Sequence, residues 1–380
     1  MADGHASRRG EVKQALAIEP LHTDAAGLAA GLAPPLVVRF AAFGDVVLLT
    51  PLLEILHRRF GRRVELLGAG DWTPQLLAQD PHVDKVRLVR SRRAAYALCP
   101  SQWQAVRWLR ARPPGPVYLC EPDDKAQWLL DRAGIDRRRV LRAFDFQADR
   151  QIAFSDWWTS IAQLTPEAWR RAPLAEPLPD VDPVPRLHLH PAEQMECAAW
   201  LRTRQLDGAP LILLQPGNKR THKRGRRAGA ADNKHWPAER WAELARALLA
   251  ELPGAHVLLC GSPMEQGIAH DIRSRVGIDG RVHDLTLELP VRRLLALQAR
   301  AHSMISVDTG PAHSAAALDC PLVVLFGRED QRVWRPRARG DTVRAVGGER
   351  GRDSAVADIE VESVLAAWRG LPGRSAFTSA

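Results

Sequence analysis

From Leu36 onward the chain alternates short β-rich runs with amphipathic runs of helical length, and it does so in two series. The first reads "LVVRF", "VVLLTPLLEILHRRF", "RVELLG", "TPQLLAQ", "KVRLV", "WQAVRWLRA" and "PVYLC". The second reads "LILLQ", "PAERWAELARALLAEL", "HVLLCG", "MEQGIAHDIRSRV", "VRRLLALQARA", "SMISV", "PAHSAAAL" and "PLVVLFG". Val, Ile and Leu in short runs bounded by turn residues predict buried strands, and the segments between them carry apolar residues at helical spacing. In one of these, Trp241, Leu244, Leu248 and Leu252 form a stripe, while Glu239, Arg240, Glu243 and Arg246 face elsewhere. Pro237 suits the first helical position, where its missing N–H is no loss. Alternation of this kind implies parallel sheets covered by helices, an α/β class.

A chain of 380 residues is longer than one hydrophobic core usually organises. Between the two series, the segment from Arg171 to Pro191 carries six prolines and no helical period, which predicts a semi-rigid linker. The expected organisation is a tail over residues 1–35, a first Rossmann-like unit over 36–185, a second over 186–350, and a closing helix and tail over 351–380. The tail lacks the apolar core of a secretory signal, and no run reaches the ~18 apolar residues of a membrane span. The expectation is a cytoplasmic protein.

Apolar residues at 46% and charged residues at 26% exclude a disordered or fibrous chain. A net charge of +9 favours acidic partners: nucleic acid, an anionic membrane surface or a phosphorylated substrate. Cys99, Cys120, Cys197, Cys260 and Cys320 are odd in number and include no CxxC pair, so buried free thiols are expected rather than a disulfide framework.

In open parallel sheets, ligands bind beyond the carboxyl ends of the strands. Four loops qualify. In "RFAAFGDVV", Gly44 permits a tight turn and Asp45 is placed to cap a helix beginning near Val46; the same carboxylate could act as a general base. Pro51 either kinks the following helix or follows a fresh start at Thr50. The loop "QPGNKRTHKRGRRAGAADNKHWP" holds six Lys or Arg among the nine residues from Lys219 to Arg227. It lacks the interleaved aromatics of a nucleic-acid face, so Lys219, Arg220 and Arg224 are assigned to an acidic acceptor, and no nucleic-acid partner is expected. Lys234 is placed to meet a phosphate oxygen. In "LLCGSPMEQ", Glu265 is either a ribose reader or a complement to the helix dipole. In "SVDTGPAHS", Asp308, Thr309 and Gly310 follow a strand, and the free N–H groups at the next helix start suit a diphosphate, with His313 one turn in.

No P-loop is present, and "GAGDWT" holds only two glycines of a dinucleotide fingerprint. Asp180, Asp182, His188 and His190 could supply metal ligands, but they lie among prolines, and no metal or cofactor is assigned.

Taken together, "FGDVVLLTPLLEIL", "LLQPGN", "DNKHWPAERWAELARALL", "LLCGSPME" and "ISVDTGPAHSAAALDCPLVVLFG" resemble glycosyltransferase family 9, the lipopolysaccharide heptosyltransferases. The resemblance spans most of Leu36 to Arg328. It implies a GT-B architecture, with the acceptor on the first unit and a nucleotide sugar on the second, and an inverting transfer without metal. By likeness to the family's "GD" loop, Asp45 is the base that deprotonates the acceptor hydroxyl. Asn218, Lys234, Glu265, Asp308, Thr309, Gly310 and His313 fall to the donor, expected to be ADP-heptose. The acceptor is expected to be an acidic glycolipid of the lipopolysaccharide core, reached by peripheral contact at the inner face of the inner membrane. The basic loop is longer than the family's, and the segment from Arg142 to Leu164 has no histidine where the family pattern leads one to expect it. Other readings are a family member using another nucleotide sugar or a protein acceptor, and a non-catalytic polyanion-binding protein of the same fold.

Overall fold

The computed structural model describes residues 33–91, 94–146, 152–170, 181–224, 233–349 and 354–372. The first lobe runs β1 (Leu36–Arg39), α1 (Phe43–Leu48), α2 (Thr50–Phe60), β2 (Val64–Gly68), α3 (Trp72–Leu76), β3 (Val83–Leu88), α4 (Pro100–Ala111), β4 (Val117–Leu119), α5 (Asp124–Arg132), β5 (Val140–Arg142) and α6 (Phe154–Gln163). The second runs α7 (Pro191–Thr203), β6 (Leu211–Gln215), α8 (Lys219–Arg224), α9 (Ala238–Glu251), β7 (His256–Leu259), α10 (Gln266–Val276), β8 (Val282–Asp284), α11 (Val291–Arg300), β9 (Ser303–Val307), α12 (Gly310–Ala317), β10 (Leu322–Phe326), α13 (Gln331–Trp334), β11 (Val343–Gly347) and α14 (Val361–Arg369).

The strands form two parallel sheets, ordered β3-β2-β1-β4-β5 and β11-β10-β9-β6-β7-β8. Their central strands are buried along their whole length, which is why they read as unbroken apolar runs. In each sheet the strand order reverses beside the first strand of the series, between β1 and β4 and between β6 and β9. Loops leaving neighbouring strands at such a point turn to opposite faces and open a crevice. The architecture is the expected GT-B pair of Rossmann-like sheets.

The apolar run after Phe40 departs from the reading given above. The helix begins at Phe43, so Asp45 lies in its first turn and does not cap a start near Val46. Two helices replace one, because Pro51 has no N–H to offer Val47 O and the Thr50 hydroxyl donates to that carbonyl instead, at 2.9 Å. Thr50 Oγ1 also accepts from the Arg186 N–H, tying the segment between α6 and α7 to the first lobe.

The lobes also touch through packed side chains. Leu295 of α11 and Ala317 of α12 belong to the first lobe's apolar core, alongside Leu48 and Leu49. Arg292 of α11 donates to Gln75 O in α3 and to His188 O, both at 2.9 Å, while its Nε meets Glu193 at 2.6 Å. All five cysteines are buried free thiols, as expected. Among the described residues, no helix is long and apolar enough to cross a membrane.

Candidate active site

The crevices of the two sheets face each other and enclose a cavity of about 830 Å³. Its wall is made of strand-end loops: Phe40 to Gly44 after β1, Ala69 to Trp72 after β2, Val89 to Ser91 after β3, Gln215 to Lys219 after β6, Gly261 to Glu265 after β7, and Thr309 to Pro311 after β9. Cations reach it from both lobes, Arg90 from the first and Lys219 and Lys223 from the second, with His222 beside them.

The narrowest approach between lobes brings the N-termini of α1 and α12 together. A Cβ placed on Gly44 would meet His313 Cδ2 at 2.8 Å and Gly310 Cα at 3.2 Å. Glycine is required here for space, since neither residue has a positive φ. Asp45, the next residue, is thereby set beside the second lobe's Asp308 to His313 turn. Its Oδ2 accepts the Ala42 N–H at 3.2 Å and lies 3.8 Å from Arg39 Nη2. Among the described residues Oδ1 has no hydrogen-bond partner, and the side chain keeps 29% of its surface exposed. The result is a carboxylate fixed at one oxygen and open at the other.

Arg39, the last residue of β1, is a constituent the sequence analysis missed. Its buried guanidinium donates to Cys120 O at 2.8 Å, lies 3.8 Å from Glu121, and stands over the rings of Phe144 and Trp158. An arginine closing an otherwise apolar strand is the signal that marks it, because a buried guanidinium needs a carboxylate partner.

Across the approach, Lys234 Nζ is 2.5 Å from Asp308 Oδ2, and His313 Nε2 lies 3.9 Å from Asp308 Oδ1. Burial holds the His313 imidazole below its ordinary value against the pull of the Asp308 and Asp45 carboxylates, with Lys234 reinforcing the shift. Thr309 is the extended residue before α12, so the first N–H groups of that helix begin at the cavity wall. Thr309 and Gly310 line the cavity directly, whereas Asp45, Lys234, Asp308 and His313 stand beside it.

Glu265 is buried and lines the cavity. It accepts from the Ser262 N–H and hydroxyl, each at 2.8 Å, and from the Thr221 hydroxyl. Gly217 makes this possible, since a Cβ there would fall 1.9 Å from Glu265 Oε1. Asn218 Oδ1 accepts the Arg220 N–H at 2.8 Å and opens α8. Lys219 lines the cavity, while Arg220 is exposed and outside the lining. The side chain of Arg224, most of the basic loop, the tail over 1–32 and Asp180 lie outside the described residues. The three described ligands considered between the lobes do not converge: Asp182 holds the Val184 N–H and His190 Nδ1 the Ala192 N–H, while His188 turns toward the first lobe.

With this geometry in view, the similarities to known proteins are specific. The profile of glycosyltransferase family 9 (heptosyltransferase) matches residues 146–357. Lipopolysaccharide heptosyltransferase 3 of Escherichia coli is 26% identical over 304 residues, covering 77% of this chain and 83% of that protein. ADP-heptose lipopolysaccharide heptosyltransferase II of E. coli superposes with a TM-score of 0.67 at 20% identity, over 89% of this chain and 98% of that one. A family 9 glycosyltransferase from Veillonella parvula gives a TM-score of 0.69 at 17% identity, over 89% and 97% of the two chains. The family profile alone spans more than half the sequence, so the chain belongs to glycosyltransferase family 9, the heptosyltransferase family.

Proposed function

We propose that this enzyme transfers heptose from ADP-heptose to an acidic sugar of the lipopolysaccharide core, with inversion and without a catalytic metal. The observation that carries the reading is the position of Asp45, whose open oxygen lies where the α1 and α12 termini meet. Asp45 takes the proton of the acceptor hydroxyl as that oxygen bonds to the anomeric carbon. The bond from the anomeric carbon to phosphate breaks, and its electron pair leaves with the ADP. Attack opposite the leaving group inverts the centre. A general base of this kind contributes about 10²- to 10⁴-fold.

The leaving diphosphate gathers negative charge, which the first N–H groups of α12 and the Lys234 ammonium are suited to accept. Asp308 orients Lys234 by their 2.5 Å contact. Glu265 serves the ribose, with Asn218 closing the same side. Lys219, Arg220 and Arg224, together with the cavity cations Arg90 and Lys223, meet the acidic acceptor. The division into units at residues 36–185, 186–350 and 351–380 is part of this reading. The absence of regular structure from 181 to 190, between α6 and α7, supports it. The protein works at the cytoplasmic side of the inner membrane by peripheral contact, which its net charge of +9 favours.

The test is mass-spectrometric turnover of a nucleotide-sugar panel with a heptose-deficient lipopolysaccharide acceptor. The reading requires ADP-heptose to be consumed and the product linkage to be inverted; turnover of a different nucleotide sugar alone would replace the donor assignment.

A further inference from the structure

We propose that Asp80, His82 and His188 form a binding site for one divalent transition-metal ion of the Zn²⁺ class, which clamps the interlobe segment onto the first lobe. One ligating atom from each residue lies within 4.8 Å of the other two. Asp80 and His82 come from the turn that leads into β3, and His82 Nδ1 is 3.1 Å from Asp80 Oδ1. His188 comes from the segment before α7, and its ring centre is 6.2 Å from that of His82. The Asp80 carboxyl is almost wholly buried, at 3% exposure, and the His82 side chain keeps 19%.

A second feature points to a ligand at the same place. His57 of α2 has its ring centre 5.3 Å from that of His82, and its Nδ1 is buried with no hydrogen-bond partner. A buried imidazole nitrogen without a partner is costly, and this one stands next to the His82 ring at the edge of the cluster. The charges that reach His188 come from several elements: Asp80 and Glu54 are negative, Arg186 positive.

The donor chemistry selects the ion. Two imidazoles with one carboxylate suit Zn²⁺ and its neighbours, whereas Mg²⁺ and Ca²⁺ take oxygen shells. Tetrahedral bonds of about 2.1 Å hold ligand atoms about 3.4 Å apart, so closure asks side-chain movements of about 1 Å. None of these residues lines the interlobe cavity, so the ion is structural and stands apart from the transfer chemistry. Its place explains its effect. It joins residues about 100 positions apart in sequence, and such a clip constrains the unfolded chain strongly. His188 is also the residue whose carbonyl accepts from Arg292, so the ion would fix the accepting end of that interlobe contact.

The experiment uses the full chain, stripped with a chelator and equilibrated with ZnCl₂, CoCl₂ or MgCl₂. The expected result is one Zn²⁺ retained per chain by elemental analysis, a rise in melting temperature with Zn²⁺ and none with Mg²⁺. His188→Ala and His82→Ala should each weaken Zn²⁺ binding by about tenfold or more. His190→Ala, whose ring caps α7 and stands outside the cluster, should bind as wild type. Cobalt should give visible bands without a sulfur charge-transfer band. Wild-type protein that retains no ion overturns the proposal whatever the variants do. So does unchanged affinity in His188→Ala and His82→Ala, or a cobalt spectrum showing thiolate ligation.

Discussion

Gly310 and Gly44 meet across the two lobes so closely that a Cβ on Gly310 would stand 3.0 Å from the Gly44 nitrogen and 2.9 Å from Phe43 Cβ. Backbone from one lobe blocks the space above the other, so even one methyl group forces the helix termini apart. Gly310→Ala is expected to lower kcat/KM by at least about tenfold, in line with the cost of small misplacements in a reacting geometry. The folded state loses about 1–3 kcal/mol from overpacking. Steady-state kinetics beside a denaturant melt separates the two effects, and unchanged kcat/KM would mean that the approach has no part in transfer.

Lys234 and Asp308 give the second prediction. Lys234→Ala removes the one described cation in contact with Asp308 and a charge-assisted donor suited to diphosphate. The dissociation constant for ADP should rise about 10- to 100-fold, equivalent to about 1.5–3 kcal/mol. Calorimetric titration of ADP reads this directly, and an unchanged constant would remove Lys234 from the donor site.

Arg292 is one of the polar ties between the lobes. Arg292→Ala leaves the Gln75 and His188 carbonyls without their donor and Glu193 without its ion pair. Unfolding free energy should fall by about 2–4 kcal/mol. A chemical melt of the variant checks the figure, and Arg292→Lys should recover only part of it, because one ammonium cannot reproduce the forked contacts.

His256 and His283 predict how stability follows pH. Their rings share a 3.0 Å contact between Nδ1 and Nε2, and burial holds both below the usual 6.5. Arg281 adds to the shift at His256 and Asp279 opposes it; His256, Arg204 and Arg273 add to the shift at His283. A depressed folded value means that the unfolded chain takes up the proton first as pH falls. Stability is therefore full above about pH 6.5 and declines below it, through the folded values. Melting temperatures from pH 7.5 to 5.5 should fall, and His283→Gln should flatten the decline; an identical slope in the variant would exclude the pair as a cause.

Much of this was legible in the chain. Buried parallel strands need unbroken apolar runs, so "LILLQ" and "PLVVLFG" announced themselves, and the place of Asp308, Thr309 and Gly310 between β9 and α12 followed from the strand before them. The start of α1 at Phe43 is harder to read from sequence. "AAFGDVV" carries no Ser, Thr or Asn to mark a cap, and Asp45, the strongest capping residue type in view, serves inside the first turn. Arg39 is not legible from its own segment, because its meaning depends on Glu121 and Asp45, one of them some eighty residues away. The "HLH" pair read as one ligand set because the residues are close in sequence. In an extended segment, though, His188 and His190 answer to different neighbours, the one to Asp80 and His82 and the other to the first turn of α7. Contacts between distant segments are what periodicity does not encode.

The central claim is that Asp45 is the base. The measurement is single-turnover transfer by Asp45→Asn, read beside ADP affinity in the same preparation. The amide keeps the shape of the side chain but cannot accept the acceptor's proton at useful strength, so the rate should fall by about 10²- to 10⁴-fold. ADP binding should stay at its wild-type value, since Asp45 stands on the first lobe and the residues proposed for the donor on the second. Transfer at the wild-type rate in Asp45→Asn would contradict the account.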